Sequence, residues 1–247
     1  MTKKYTVVTG ASSGIGYETA LAFAEKGKDL ILVARREDKL LSLKDKILDR
    51  HSELDIIVKK SDLSDQKQVY NLYNSLHNYN IETWINNAGV GGVGHLSTAN
   101  LQSLERLVDV NVKATAILST LYAKDYANVQ GAQLINVSSA LGYVIALGDV
   151  AYSASKFFVS ALTEGLAIEL KDSSLKAKVL APALTTTDFI KAFTDKATTN
   201  SKNLQLHSPQ EVASYLVALY ESDKTVGIVN GDNEFVLSDA IFPTLSM

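Results

Sequence analysis

Seven short apolar runs punctuate the chain, and amphipathic stretches of helical period separate them. The runs are YTVVTG (5–10), DLILVAR (29–35), DIIVK (55–59), ETWIN (82–86), AQLINVS (132–138), KAKVLA (176–181) and EFVLS (234–238). A strand that is apolar along most of its length has to be buried on both faces, and a parallel sheet covered by helices on each side provides that burial. Strand and helix in regular alternation therefore point to an α/β, doubly wound fold with about seven parallel strands and helices on both faces. Such sheets bind ligands outside the carboxyl ends of their strands, so the chemistry is expected there.

Composition narrows the reading further. The 247 residues are 46% hydrophobic, enough for one large core, and the three prolines mark no linker, so a single domain over 1–247 is expected. A net charge of −3 with no basic stripe argues against a nucleic-acid or membrane-surface partner. The absence of cysteine removes disulfides, thiolate nucleophiles and Cys-ligated metals. His51, His77, His95 and His207 lack metal-ligand spacing and read as surface or packing residues; the glycine-rich loop 90–95 is expected to border the pocket, with His95 peripheral rather than catalytic. The opening MTKKYTVVTG reads as a strand rather than a signal peptide, and no apolar run reaches membrane-span length, so a cytoplasmic location is expected.

The first run leads directly into Thr9-Gly-Ala-Ser-Ser-Gly-Ile-Gly16 and then a helical pattern. Glycines at 10, 14 and 16 permit a tight turn and let a phosphate reach bare backbone, while the following helix aims its N–H groups and partial positive charge at the anion. The spacing is GxxxGxG, not the GxGxxG of the usual dinucleotide fingerprint; strand before and helix after strengthen it. After the second run, where an acidic residue would bind the ribose 2′-hydroxyl of NAD, the chain reads Val33-Ala-Arg-Arg-Glu37. Arg35, with Arg36 beside it, can fork onto a 2′-phosphate, which implies NADP(H); the bland alternative is two solvated charges at a helix start.

Tyr152-Ser-Ala-Ser-Lys156 puts a phenol and an ammonium at i and i+4 on one helix face. A nearby ammonium favours the phenolate and moves an ordinary pKa of about 10 toward the range of a general acid or base.

These motifs together resemble the short-chain dehydrogenase/reductase family over essentially the whole chain. The matching residues are Thr9–Gly16 for TGxxxGxG, Asn86-Asn-Ala-Gly89 for NNAG, Asn111 in DVNV, Ser139 in NVSSALG, and Tyr152 with Lys156 for YxxxK. The resemblance implies a Rossmann-like fold in which Tyr152 exchanges a proton with the substrate oxygen and Lys156 lowers its pKa while holding the nicotinamide ribose. Ser139, chosen over Ser138 because Ser-x-x-Gly runs from 139 to 142, would hydrogen-bond the carbonyl. Asn111 would anchor a water that relays protons toward Lys156. The implied cofactor contacts are Gly10, Ser12, Ser13, Gly14, Ile15 and Gly16 in the loop, then Arg35 and Arg36. Asp62 and Leu63 would contact adenine, and Asn87, Ala88, Gly89, Tyr152, Lys156, Pro182 and Thr187 complete the set.

One departure stands out. The family usually shows Pro-Gly-x-x-x-Thr after the sixth strand; here Pro182-Ala-Leu-Thr-Thr-Thr187 places a Cβ at position 183, costly if that backbone needed positive φ. Residues 183–207 read as a substrate lid, in which Phe189, Ile190 and Phe193 could close over an apolar substrate or merely pack the lid on the body. The expected partner is a small carbonyl or alcohol. The helices expected near 101–127 and 152–171 carry apolar residues on more than one face, so a homodimer or homotetramer is also expected. Two classes of function stay open: an NADPH-dependent oxidoreductase, and a non-catalytic NADP(H)-binding sensor or protein-interaction module, which the intact Ser139, Tyr152 and Lys156 disfavour.

Overall fold

A computed structural model describes residues 3–186 and 206–245. Its strands are β1 (Tyr5–Thr9), β2 (Asp29–Ala34), β3 (Ile56–Lys60), β4 (Ile81–Asn86), β5 (Gln133–Val137), β6 (Lys176–Ala181), β7 (Val226–Val229) and β8 (Phe235–Ser238). They form one sheet in the order β3-β2-β1-β4-β5-β6-β7-β8, parallel throughout except for the antiparallel pair β7/β8. The Rossmann-like α/β fold is as expected, with one difference at the edge. The run at 234–238 is an antiparallel edge strand, and it pairs with a parallel strand at 226–229 that the sequence pattern did not show.

The helices are α1 (Gly14–Glu25), α2 (Glu37–Leu48), α3 (Gln66–Asn74), α4 (Leu101–Leu107), α5 (Thr115–Tyr126), α6 (Val150–Glu169) and α7 (Pro209–Glu221). Alternation along the buried strands divides the core in two. Val8, Leu30 and Leu32 face α1, α2 and α7, where Phe23, Leu40 and Leu216 meet them. Val7, Ile31 and Val33 face the other way, toward Val69, Leu118 and Tyr122 of α3 and α5. The central strands β1, β2, β4, β5 and β6 thus bury both rows of side chains along most of their length, as their apolar sequence demands. No described helix is long and apolar enough to cross a membrane.

Helix α7 shows how local sequence sets an element. Ser208 and Glu211 form a reciprocal capping box with Pro209 in the first turn. At the other end, buried Lys178 of β6 donates to the carbonyls of Leu219 (3.0 Å), Tyr220 (3.0 Å) and Ser222 (2.6 Å). Burial pushes this ammonium down to about 8. Lys178→Met is expected to leave those last-turn carbonyls unpaired and to cost about 1–3 kcal/mol. Denaturant unfolding checks this, and an unchanged midpoint would show that the last turn of α7 finds other donors.

The chain winds outward in opposite directions from β1 and β4, which lie side by side. Their carboxyl ends therefore splay apart and open a crevice at the topological switch point.

Candidate active site

The crevice opens into a cavity of about 1120 Å³ lined from the ends of β1, β2, β4, β5 and β6. That exceeds the roughly 300–1,000 Å³ typical of a single small-ligand pocket. There is room for a dinucleotide and a substrate together.

One wall is the glycine loop between β1 and α1. Thr9 staples it to the β4 loop: its hydroxyl accepts from the backbone N–H of Asn87 (3.0 Å) and Ala88 (3.0 Å), while Asn87 Nδ2 returns a bond to the Thr9 carbonyl (2.9 Å). The two loops meet so closely that a Cβ on Gly10, whose φ is +70°, would lie 2.9 Å from Ala88 Cα. A Cβ on Gly16 would lie 2.5 Å from the Gly10 carbonyl. Ser13 sits at the N-cap of α1 without a side-chain cap bond, so the positive end of the helix faces the cavity along Gly14 and Ile15. The Ser13 hydroxyl instead accepts from Arg36 Nη2 (2.7 Å), which also reaches Ser12 (3.0 Å). Arg35 is exposed at the same edge of the cavity.

Farther along this wall lie Asp62 and Leu63. Asp62 accepts from the backbone and hydroxyl of Ser64 (3.0 and 2.8 Å), and its second oxygen lies 3.6 Å from Arg106 Nη2. Arg106, at the end of α4, also lines the cavity and was not expected from sequence. Of the NNAG run, Asn87, Ala88 and Gly89 line the cavity, whereas Asn86 turns inward. It bonds Trp84 (2.8 Å) and Asn136 (2.9 Å) in a buried polar network.

The opposite end gathers Ser139, Tyr152 and Lys156. Ser139 is half-buried on the cavity wall near Tyr152, whereas the Ser138 hydroxyl packs inward on the Lys156 carbonyl (2.9 Å) and Ser160 (2.8 Å). Burial pushes the Tyr152 phenol well above its ordinary range; the nearby Ser139 hydroxyl pulls it down and the charge of Asp149 pushes it up. The lowering expected from Lys156 does not prevail. Its Nζ sits 5.7 Å from the Tyr152 ring centroid, donates to the Val137 carbonyl (3.0 Å), and is itself pushed down to about 8 by burial.

Asn111 lies beside this group for a local structural reason. The helix expected over 101–127 contains a π-helical turn at Val108–Ala114, a feature frequent at functional sites, and Asn111 is at its centre. Its amide accepts from Val90 N (2.9 Å) and donates to Val90 O (2.8 Å) and Ser155 (3.0 Å), fully paired as a buried Asn must be. A Cβ on Gly89 would lie 3.5 Å from both Asn111 Oδ1 and Lys156 Nζ.

The 90–95 loop lines the cavity, with His95 on its wall beside Gly148. Pro182 lines the cavity and accepts from Ala140 N (2.8 Å). Ala183 carries no penalty, because Asn233 alone among the described non-glycine residues has positive φ. Thr187 and the lid residues Phe189, Ile190 and Phe193 lie outside the described residues.

Comparison with known proteins agrees with this fold. An uncharacterised oxidoreductase of Staphylococcus saprophyticus is 32% identical over 197 residues, 78% of each chain. A short-chain dehydrogenase from Sphingobium yanoikuyae, solved in complex with NADPH, superposes with a TM-score of 0.83 at 27% identity, covering 91% of this chain and 87% of that one. The bulky-bulky ketone specific alcohol dehydrogenase from Comamonas testosteroni superposes with a TM-score of 0.81 at 29% identity, covering 91% and 85%. Residues 4–198 match the family model for short chain dehydrogenases, and the chain belongs to the short-chain dehydrogenase/reductase family of oxidoreductases.

Proposed function

We propose that the protein is an NADPH-dependent oxidoreductase acting on a small carbonyl or alcohol, with Tyr152 as the general acid or base. The observation that carries this reading is the grouping of Ser139, Tyr152 and Lys156 in the same cavity as the glycine loop and the Arg35–Arg36 pair. The NADPH in the Sphingobium yanoikuyae structure and the ketone specificity of the Comamonas testosteroni enzyme support it.

The residues present fit an anionic dinucleotide. The α1 N-terminus, open to the cavity, would take the pyrophosphate through Gly10, Ser12, Ser13, Gly14, Ile15 and Gly16. Arg35 and Arg36 would clamp the 2′-phosphate, and Asp62 with Leu63 would take the adenine. Asn87, Ala88 and Gly89 border the path toward Tyr152, Lys156 and Pro182 at the nicotinamide end. Bound NADPH would supply the hydride. Ser139 would hold the carbonyl oxygen and Tyr152 would protonate it. Lys156 would keep a positive charge near the phenol, and Asn111 would fix the Val90 backbone and the proton route beside Lys156. A phenol held protonated by burial suits proton donation at neutral pH.

The pH dependence follows from Lys156. Below about 8 the ammonium is charged and assists; as pH rises through about 8 the charge is lost, and kcat/KM for carbonyl reduction is expected to fall. Steady-state kinetics across pH checks this. A decline beginning only at the ordinary phenol value of 10.0 would contradict the assignment.

The test of the function is consumption of NADPH, with NADH as control, across ketones, aldehydes, α-dicarbonyls and 3-oxoacyl thioesters. Turnover that favours NADPH is the expected result. Tight NADPH binding without turnover on any class would move the assignment to the sensor reading. We further propose that copies pair through the α4–α5 stretch and α6, on which Phe158 and Ile168 are exposed.

A further inference from the structure

Glu164 lies on α6 eight residues beyond Lys156 and is 1% exposed, yet it belongs to no part of the cavity wall. Three donors converge on its two carboxyl oxygens. Oε1 accepts from the Tyr143 hydroxyl at 2.5 Å; Oε2 accepts from the backbone N–H groups of Ile241 (2.5 Å) and Phe242 (2.9 Å). A buried carboxylate with this many donors is stabilised in place. The Phe242 ring lies nearly flat on that of Tyr143, with centroids 5.2 Å apart and planes 17° apart. The backbone around it, Asp239–Leu245, is otherwise largely exposed. Lys224 pairs with Asp239 (3.0 Å) where the segment begins, and Glu164 with the Tyr143 ring holds it at 241–242.

The other end of the contact is the turn that begins at Ser139. Gly142 N donates to the Ser139 carbonyl (2.8 Å), Leu141 N to the Ser139 hydroxyl (3.2 Å), and Tyr143 N to the Ala140 carbonyl (3.0 Å). The turn is pressed onto α6: a Cβ on Gly142 would lie 2.5 Å from Ser138 Oγ, 2.6 Å from Ser160 Oγ and 2.7 Å from the Lys156 carbonyl. Ser160, bonded to Ser138 (2.8 Å), packs against the same turn, and burial together with Glu164 pushes the Tyr143 phenol above its ordinary range, so it stays a donor. An unbroken run of packed and hydrogen-bonded groups therefore leads from residues 241–242 through Glu164 and Tyr143 to Ser139.

We propose that Glu164 is a positioning residue that clamps the C-terminal segment against Tyr143 and so fixes the 139–143 turn, holding Ser139 toward Tyr152. The functional part rests on the assignment of Ser139 to the substrate oxygen; the mechanical part does not.

The test compares the full chain with Glu164→Gln, Tyr143→Phe and a chain ending at Asp239. Gln offers one acceptor oxygen where three donors converge, and Phe keeps the ring stack but loses the hydroxyl. Amide hydrogen exchange at 140–143 is expected to accelerate about tenfold or more in all three, with the sheet amides unchanged. The KM for a carbonyl substrate is expected to rise about tenfold while the NADPH dissociation constant moves less than about twofold. Glu164→Gln combined with the shortened chain should do no more than either alone, because both break one contact. Unchanged exchange at 140–143, uniform acceleration throughout the chain, or additive effects would overturn the clamp. If Glu164→Gln fails to fold, Tyr143→Phe and the shortened chain decide it by the same readouts. A full chain that turns over no carbonyl would sink the reductase assignment, and the exchange data would still decide the clamp.

Discussion

Tyr152→Phe is expected to lower turnover by about 10²–10⁴-fold, the span usually assigned to a positioned general acid. The substitution deletes one oxygen from a side chain that is 8% exposed, so the ring keeps its packing against Val93, Leu107 and Ala151. What disappears is the hydroxyl on the cavity wall it shares with Ser139. Lys156 keeps its bond to the Val137 carbonyl, and the glycine loop and arginine pair lie at the other end of the cavity, so NADPH affinity is expected to change less than about twofold. Steady-state kinetics with a parallel binding titration checks both halves. Near-normal turnover would remove Tyr152 from the acid role; lost affinity would show that the phenol serves binding instead.

The second large effect lies with the arginines. Arg35→Ala is expected to raise the KM for NADPH about tenfold and to leave that for NADH nearly unchanged, since a charge-assisted fork onto a 2′-phosphate is lost only where that phosphate exists. Arg36→Ala should act in the same direction through a second route. The Arg36 guanidinium rests on the hydroxyls of Ser12 and Ser13, at distances of 3.0 and 2.7 Å, so its removal also frees two loop side chains. Measuring both cofactors with both single variants separates charge from loop order. Equal effects on NADPH and NADH would mean that these side chains are solvated charges with no part in cofactor choice.

Much of this arrangement is legible in the sequence because the sheet imposes a strong pattern. Six of the seven apolar runs are parallel strands, since burial on both faces keeps a strand apolar along most of its length. The strand at 226–229 escaped because it is four residues long and contains Gly227, and glycine ordinarily weakens a strand. Its glycine has a packing reason: the Phe235 ring of β8 would meet a Cβ there at 3.0 Å. Within the site, the motif residues from Gly10 to Lys156 converge because each lies at a strand end or on an adjacent helix. The π-helical turn that carries Asn111 left no trace, since one extra residue in a turn does not disturb an apolar pattern. Arg106 was illegible for a different reason: a lone charged side chain has no periodicity, and only the topology brings it to the cavity. The anxiety attached to alanine at 183 came from a φ that the backbone does not adopt.

The central claim is that this cavity moves a hydride between nicotinamide and a carbonyl carbon. The most direct test is to supply NADPH deuterated on the transferable nicotinamide hydrogen together with a ketone the protein consumes, or the full carbonyl panel, and to analyse the products by mass spectrometry. The account predicts an alcohol that carries one deuterium on the former carbonyl carbon, absent when Tyr152→Phe is used. Tight NADPH binding with no deuterium transferred to any carbonyl would contradict it and leave a cofactor-binding protein without this chemistry.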